Sequence, residues 1–226
     1  MTTKKTKKEE TTKTLTILPP KFEVAEFTIR GNAPFVSNKF TAEAKAMMKA
    51  KQEAGSTAKK NTKREAKDFQ RIYKESMHES TEGWHGLPAS GFRNAMVSAC
   101  KIAGFAMTRA KLSVFIEPDG FDKDDGTPLI RFSKGEPEYM ESTVRLATGV
   151  CDIAPRAKWA PGWEAYIRVK YDADQFTLTD VANLLIRVGM QVGIGAGRPD
   201  SKTSCGMGWG TFDVLDAEGS KSKKAA

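Results

Sequence analysis

The chain has 226 residues, 39% of them hydrophobic, and a formal net charge of +8. That length fits one domain with an insertion or two small domains, and the apolar content fills a core. The three cysteines, Cys100, Cys151 and Cys205, form no CxxC pair, which argues against a disulfide scaffold or a zinc site and suits a reducing cytosol. No apolar run reaches transmembrane length, and "MTTKKTKKEETTKT" lacks the apolar core of a signal peptide, so a cytoplasmic protein away from membranes is expected.

The charge is unevenly spread. Residues 1–14 hold five Lys and two Glu, and residues 219–226 hold three Lys; both read as disordered basic tails. Residues 39–74 hold eleven Lys or Arg against four acids, a net +7. Residues 15–38 are neutral, so 75–218 carry 8 − 3 − 3 − 7 = −5. The basic excess lies in one segment and the tails.

"FEVAEFTIRG" (22–31) alternates apolar residues and reads as a strand. "FTAEAKAMMKAKQEA" (40–54) and "KREAKDFQRIYKESMH" (63–78) are rich in helix formers, with "GSTAKKNT" as a flexible tip between them. Together they make a helical basic insertion at about 39–82 in a domain spanning 15–218. "LPASGFRNAMVSACKIAGF" (87–105) predicts a helix, with Phe92, Ala95, Met96, Ala99 and Ile102 on one face. "KLSVFIEP", "STVRLATGVCDI" and "WEAYIRVKYD" read as strands, and "FDKDDGTP" as an acidic loop. "TLTDVANLLIRVGMQVG" (177–193) predicts a second helix capped by Thr179 or Asp180, and "WGTFDVL" a last strand. Without the insertion the order is β-α-β-β-α-β, an α+β ferredoxin-like core.

"GIGAGRPDSKTSCGMGWGTF" (193–212) holds six of the 19 glycines. It is not a dinucleotide fingerprint, because Pro199 follows at once and no helix opens there. It is not a Walker loop, because no Gly precedes Lys202. Two readings remain. In one, Gly195 and Gly197 admit a nucleic-acid backbone while Arg198 and Lys202 supply charge. In the other, the loop is a connector with no ligand.

Catalytic and metal signatures are sparse. His78 and His85 are the two histidines, and only His85, in "GWHGLP", reads as a candidate acid or base for phosphodiester cleavage. "EPDGFDKDDG" lacks EF-hand spacing: counting back from Gly126, the first and third ligand positions fall on Phe121 and Lys123. No cofactor or metal is expected. Among the four tryptophans, Trp159 is the best base-stacking candidate, flanked by Arg156 and Lys158.

Two motifs resemble the RAMP superfamily, the RRM-like CRISPR proteins that include backbone subunits of crRNA-guided complexes. "GLPASGFRNAM" (86–96) resembles that family's turn-and-helix motif at Pro88, Ser90 and Ala95, with Arg93 at its Lys; Asn94 replaces its Gly. "GIGAGRPDSKTSCGMGWG" (193–210) resembles its glycine loop between the second helix and the final strand. The resemblance implies a divergent relative, encoded by a virus such as a phage or by a mobile element. It would bind single-stranded RNA or DNA without cleaving it and self-associate head to tail as a helical filament. Phosphates would meet Lys59, Lys60, Lys63 and Arg64 of the insertion, Ser90 and Arg93 of the helix, Arg156 and Lys158, and Gly195, Gly197, Arg198 and Lys202 of the loop. An endoribonuclease using His85 and a protein-interaction module are the competing readings.

Overall fold

A computed structural model describes residues 18–40, 42–53, 55, 66–145, 151–201, 207–215 and 223–224. The basic positions Lys59, Lys60, Lys63, Arg64 and Lys202 lie outside them, as do residues 1–14 and the tip of the insertion apart from Gly55.

The fold is α+β, with five α-helices and two antiparallel sheets among the described residues. The larger sheet is built on β1 (Phe22–Gly31) and β9 (Glu164–Asp172), which pair along nine residues of each. Both are half-buried strands of period two. Phe27 and Ile29 of β1, and Ala165, Ile167 and Val169 of β9, are fully buried. The outer edge of β1 takes β10 (Phe212–Val214) and, beyond it, β11 (Lys223–Lys224).

The far edge of β9 is shared. β4 (Val114–Glu117) pairs with its C-terminal half, and β6 (Pro128–Lys134) with its start. β3 (Gly86–Pro88) and β5 (Gly120–Phe121) complete the sheet against β6. One path across the sheet is therefore β10-β1-β9-β4, every neighbour antiparallel.

The smaller sheet is β2-β8-β7. β7 (Pro137–Arg145) and β8 (Cys151–Trp159) form a hairpin in register over nine pairs, and β2 (Phe35–Val36) joins the other edge of β8. "STVRLATGVCDI" is thus not one strand, since its ends belong to the two arms of this hairpin. "KLSVFIEP" is split as well, because α4 (Met107–Ser113) carries its first three residues and only Val114–Glu117 is extended.

Two long helices bury their apolar stripes in the core. α3 (Ala89–Ile102) buries Phe92, Ala95, Met96, Val97 and Ala99, while Ile102, one turn further on, is exposed. α5 (Leu178–Arg187) buries Val181, Leu184 and Leu185. Its N-cap is Thr177 rather than Thr179 or Asp180. The Asp180 N–H donates to Thr177 Oγ1 at 3.2 Å, and the Thr177 N–H donates back to Asp180 Oδ2 at 2.9 Å. Such a reciprocal box is worth about 1 kcal/mol. The helix runs on through a π turn (Val188–Val192), where Gly189 lies against Phe212: a β-carbon there would sit 2.1 Å from the Phe212 carbonyl oxygen.

The expected insertion contains α1 (Ala42–Glu53) and a shorter α2 (Phe69–Glu75). α2 lies beside β8, and its C-cap Ser76 accepts from the Ala157 N–H at 3.0 Å.

Candidate nucleic-acid interface

The described parts of the glycine loop, residues 193–201 and 207–210, are packed against the protein. Ile194 N–H donates to Gly210 O at 3.0 Å, Ala196 N–H to Val36 O at 3.0 Å, and Trp209 N–H to Gly197 O at 3.2 Å. These bonds pin the loop across β2 and onto the approach to β10. Gly195, Gly197 and Gly210 all have positive φ. A β-carbon would meet the Phe35 ring at 2.5 Å from Gly195, the Trp209 ring at 2.4 Å from Gly197 and the Ile194 carbonyl oxygen at 1.8 Å from Gly210. Close approach explains these glycines, and what approaches is the protein's own backbone and rings.

One residue of the expected site, Lys158, lies next to this packing. Lys158 on β8 stands opposite Val36, whose carbonyl receives the loop. Arg156 points to the same face of β8 two residues away, about 7 Å along the strand. Arg198 NH1 donates to Gly195 O at 3.1 Å, folding its guanidinium back over the loop. Lys158 is paired with Glu138 at 3.0 Å. Arg156 has no hydrogen-bond or ion partner among the described residues. It is half-buried, and burial pushes its guanidinium below the ordinary arginine value.

Trp159 is not at this surface. It is 1% exposed, stacked on Phe132 with centroids 4.7 Å apart and tilted against Phe35 at 5.5 Å. Its strand turns the face bearing Pro155, Ala157 and Trp159 inward, so Arg156 and Lys158 flank it in sequence but lie on the opposite face. Trp209, half-buried over Gly197 in the loop, is the indole beside Arg198 that keeps part of its surface in solvent.

Arg93 is placed elsewhere. Its Nε donates to Val114 O at 3.2 Å, its NH2 donates to Lys111 O, and its guanidinium lies 5.1 Å from the Phe115 ring centroid. Val114 pairs with Tyr171 at the C-terminal end of β9, whereas the loop packs on Phe35, whose ring meets Trp163 just before β9 begins. Arg93 therefore ties α3 to the α4–β4 junction, toward the other end of the sheet. Ser90 is exposed in the first turn of α3.

His85 is half-buried, with its ring 6.4 Å from that of Trp159, and its Nδ1 is buried without a partner among the described residues. Charged partners surround the other histidine instead. Asp122, whose side chain is fully buried, accepts from Lys39 Nζ at 2.9 Å and pairs with His78 Nδ1 at 2.8 Å. Lys39 also reaches Asp124 at 2.6 Å, Lys45 reaches Asp125 at 3.1 Å, and Lys123 pairs with Glu79 at 2.6 Å. The acidic loop is thus a clasp that holds both ends of the insertion.

The titration of the clasp follows from this burial and pairing. Burial alone would raise Asp122, but hydrogen bonds from Lys39, the Asp124 N–H and His78 outweigh it and hold the carboxyl below its ordinary range. Burial lowers His78, and the bond to Asp122 offsets only part of that. Burial would lower Lys39 too, yet its bonds to Asp124 and Asp122 raise it. Sequence reading misses this network because Lys39 and Asp122 are 83 residues apart and each member looks like an ordinary loop charge. Among the described residues no group of three or more His, Cys, Asp or Glu is arranged to hold a metal ion, and no helix is long and apolar enough to cross a membrane.

No protein-family model matches the chain, and no curated protein does. Among solved structures it is similar to a chain in the cryo-EM structure of the Type III-B Cmr-beta bound to cognate target RNA. That match has 11% identity, a TM-score of 0.49, and covers 91% of this chain and 62% of the other. It is also similar to the crystal structure of Thermofilum pendens Csc2, at 12% identity and a TM-score of 0.32, covering 92% of this chain and 69% of the other. The chain thus spans less than two thirds of the Cmr-beta chain's length.

Proposed function

We propose that the chain is a non-catalytic, RAMP-like protein that binds single-stranded nucleic acid where the glycine loop crosses β2, and that it assembles head to tail along the strand. The observation that carries this reading is Arg156, a half-buried guanidinium with no partner among the described residues, on the same face of β8 as Lys158, which stands opposite the Val36 that receives the loop. A guanidinium in that position has a fork of unmet donors, and a phosphate satisfies two of them at once. Trp209 offers an adjoining ring on which a base stacks.

Two further features support the reading. The antiparallel path β10-β1-β9-β4, with α3 and α5 between its strands along the chain, supports a ferredoxin-like core to which the other strands are additions. The motifs around Pro88 and Gly195 resemble the RAMP superfamily in the same order along the chain.

The test is fluorescence anisotropy with a labelled 20-nucleotide RNA and the matching DNA across a salt series. Binding whose affinity falls steeply with salt, with both strands recovered intact, is the expected result. Absence of binding at low salt overturns the proposal, and cleavage lost in His85→Ala replaces it with the nuclease reading.

A further inference from the structure

Helix α3 ends in a glycine turn that walls a cavity. Gly104 has a φ of 78°, its N–H donates to Lys101 O at 3.2 Å, and the Phe105 N–H donates to Cys100 O at 2.9 Å. This pair of closing bonds needs one residue in the left-handed region, which glycine supplies. The turn folds Phe105 back beside the helix, where its ring meets that of Phe176 with centroids 4.8 Å apart. Phe176 precedes the Thr177 cap of α5, so the two rings bridge the end of α3 and the start of α5. Arg109 braces them: its guanidinium lies 5.2 Å from the Phe105 ring centroid, and its NH2 donates to Gln175 Oε1.

Between these rings and the flank of α5 lies a cavity of about 350 Å³. Its floor is apolar. Cys100 and Leu184 are buried there, and burial pushes the Cys100 thiol up, which keeps it neutral. Asp180, Asn183, Leu184 and Arg187 form the wall on α5, because residues at i, i+3, i+4 and i+7 share one side of a helix. Asp180 is already engaged: its Oδ2 accepts from the Thr177 N–H and hydroxyl, and those bonds hold the carboxyl below its ordinary range. Asn183 and Arg187 are exposed at the mouth and have no hydrogen-bond or ion partner among the described residues.

An apolar hollow of roughly 300 Å³ or more with a few unmet polar groups is the usual form of a small-molecule site. The polar groups select the ligand. The Arg187 guanidinium matches a carboxylate with two parallel hydrogen bonds. Asp180, seven residues away and about 10 Å along the axis, leaves the wall with one charge of each sign. A polyanion therefore gains nothing there, whereas a single carboxylate held at the Arg187 end does. None of Arg156, Lys158, Arg198 and Trp209 lines the cavity.

We infer that this cavity binds a small organic carboxylate, its apolar body against Phe105, Phe176 and Leu184 and its charge on Arg187, with the Asn183 amide donating to the same group. The site is separate from the strand-binding face and does not rest on that reading.

The test titrates three probes into the isotope-labelled full chain and follows its backbone NMR signals: hydrocinnamate, its neutral amide, and adenosine monophosphate. Hydrocinnamate is expected to shift Cys100, Phe105, Phe176 and Arg187 saturably. The amide should bind at least about tenfold more weakly, since it lacks the charge-assisted pair. Adenosine monophosphate should leave those signals in place. Arg187→Ala should lower the acid to the affinity of the amide and leave the amide unchanged. Ala103→Trp, at the mouth, should block both. Both substituted positions are exposed, and unchanged melting checks the fold. The inference is overturned by an absence of saturable shifts at these residues or by equal affinity for acid and amide. It is overturned as well by a loss in Arg187→Ala that extends to the amide, by binding that survives Ala103→Trp, or by adenosine monophosphate bound there as tightly as the acid.

Discussion

The sheet and the insertion are held by opposite kinds of chemistry. Around β1 and β9 the contacts are apolar and aromatic: Phe35, Phe132, Trp159 and Trp163 form one cluster with ring centroids 4.7 to 6.1 Å apart. The insertion is fastened by Lys39, His78 and Asp122, and by the Ser37 hydroxyl donating to Ser76 O at 2.6 Å. Apolar burial is insensitive to pH and loses stability in proportion to the volume removed. A buried charge network is insensitive to shape but fails once one member changes its proton or is deleted. Mutations and acid therefore act differently on the two regions.

The largest effect is expected in the aromatic cluster. Trp159→Ala should cost about 3–5 kcal/mol in urea unfolding, the usual range for deleting a buried aromatic. Whatever remains folded should bind a short strand with wild-type affinity. Unchanged stability with lost binding would return Trp159 to the stacking role its sequence neighbours imply.

The clasp comes next. Asp122→Ala leaves Lys39 buried beside Asp124 alone and should cost about 2–4 kcal/mol, while Asp125→Ala, at the rim, should cost less. The wild-type protein should also weaken in acid in two stages. His78 titrates lower in the folded chain than the ordinary 6.5, so the unfolded chain takes up that proton first. Its contribution is complete above pH 6.5 and is lost as pH falls through the folded value. Asp122 is likewise depressed, so its contribution is complete above the ordinary carboxylate range and lost further into acid. Melting temperature against pH, with His78→Gln removing the first stage, checks the assignment. A single stage in both proteins would show that His78 is uncoupled from the clasp.

The binding face should respond in affinity and hardly in stability. Arg156→Ala with Arg198→Ala should weaken binding about 10–100-fold at moderate salt and reduce the slope of log affinity against log salt by about two, one for each phosphate no longer neutralised. Unfolding free energy should change by less than about 1 kcal/mol, since partly exposed loop and strand charges contribute little. A loss of stability with an unchanged slope would make both arginines structural.

Legibility in the sequence varies by region. β1 is readable to its boundaries because Phe22, Val24, Phe27 and Ile29 sit on a strand that ends at Gly31. α3 and α5 are legible because their apolar residues recur at helical spacing. β6 is not, since "PLIRFSK" follows an acidic turn and has only three buried residues to mark it. The burial of Trp159 is hidden because β8 alternates faces, so its basic neighbours in sequence are its opposites in space. The clasp is hidden for a different reason: a buried ion network has no period, and only the fold brings Lys39, His78 and Asp122 together.

Arg93 separates motif resemblance from structural duty with the smallest effect of the series. In the sequence it stands where the RAMP turn-and-helix motif carries a lysine, which assigns it a phosphate. In the structure its guanidinium is committed to Val114 O and Lys111 O and lies over the Phe115 ring. Those carbonyls belong to the end of α4 and the start of β4, where the last helical carbonyls have no intrahelical donor. A cation there satisfies them and suits the negative end of the helix. Arg93→Ala should therefore lose about 1 kcal/mol of stability, partly from the hydrogen bonds and partly from the ring contact. Arg93→Lys should recover only part of it, because an ammonium cannot span both carbonyls as the fork does. Neither change should alter the salt slope of strand binding, in contrast to the Arg156 and Arg198 pair. A slope reduced by about one with stability intact would place a phosphate at Arg93 and extend the interface along the sheet to the far end of β9.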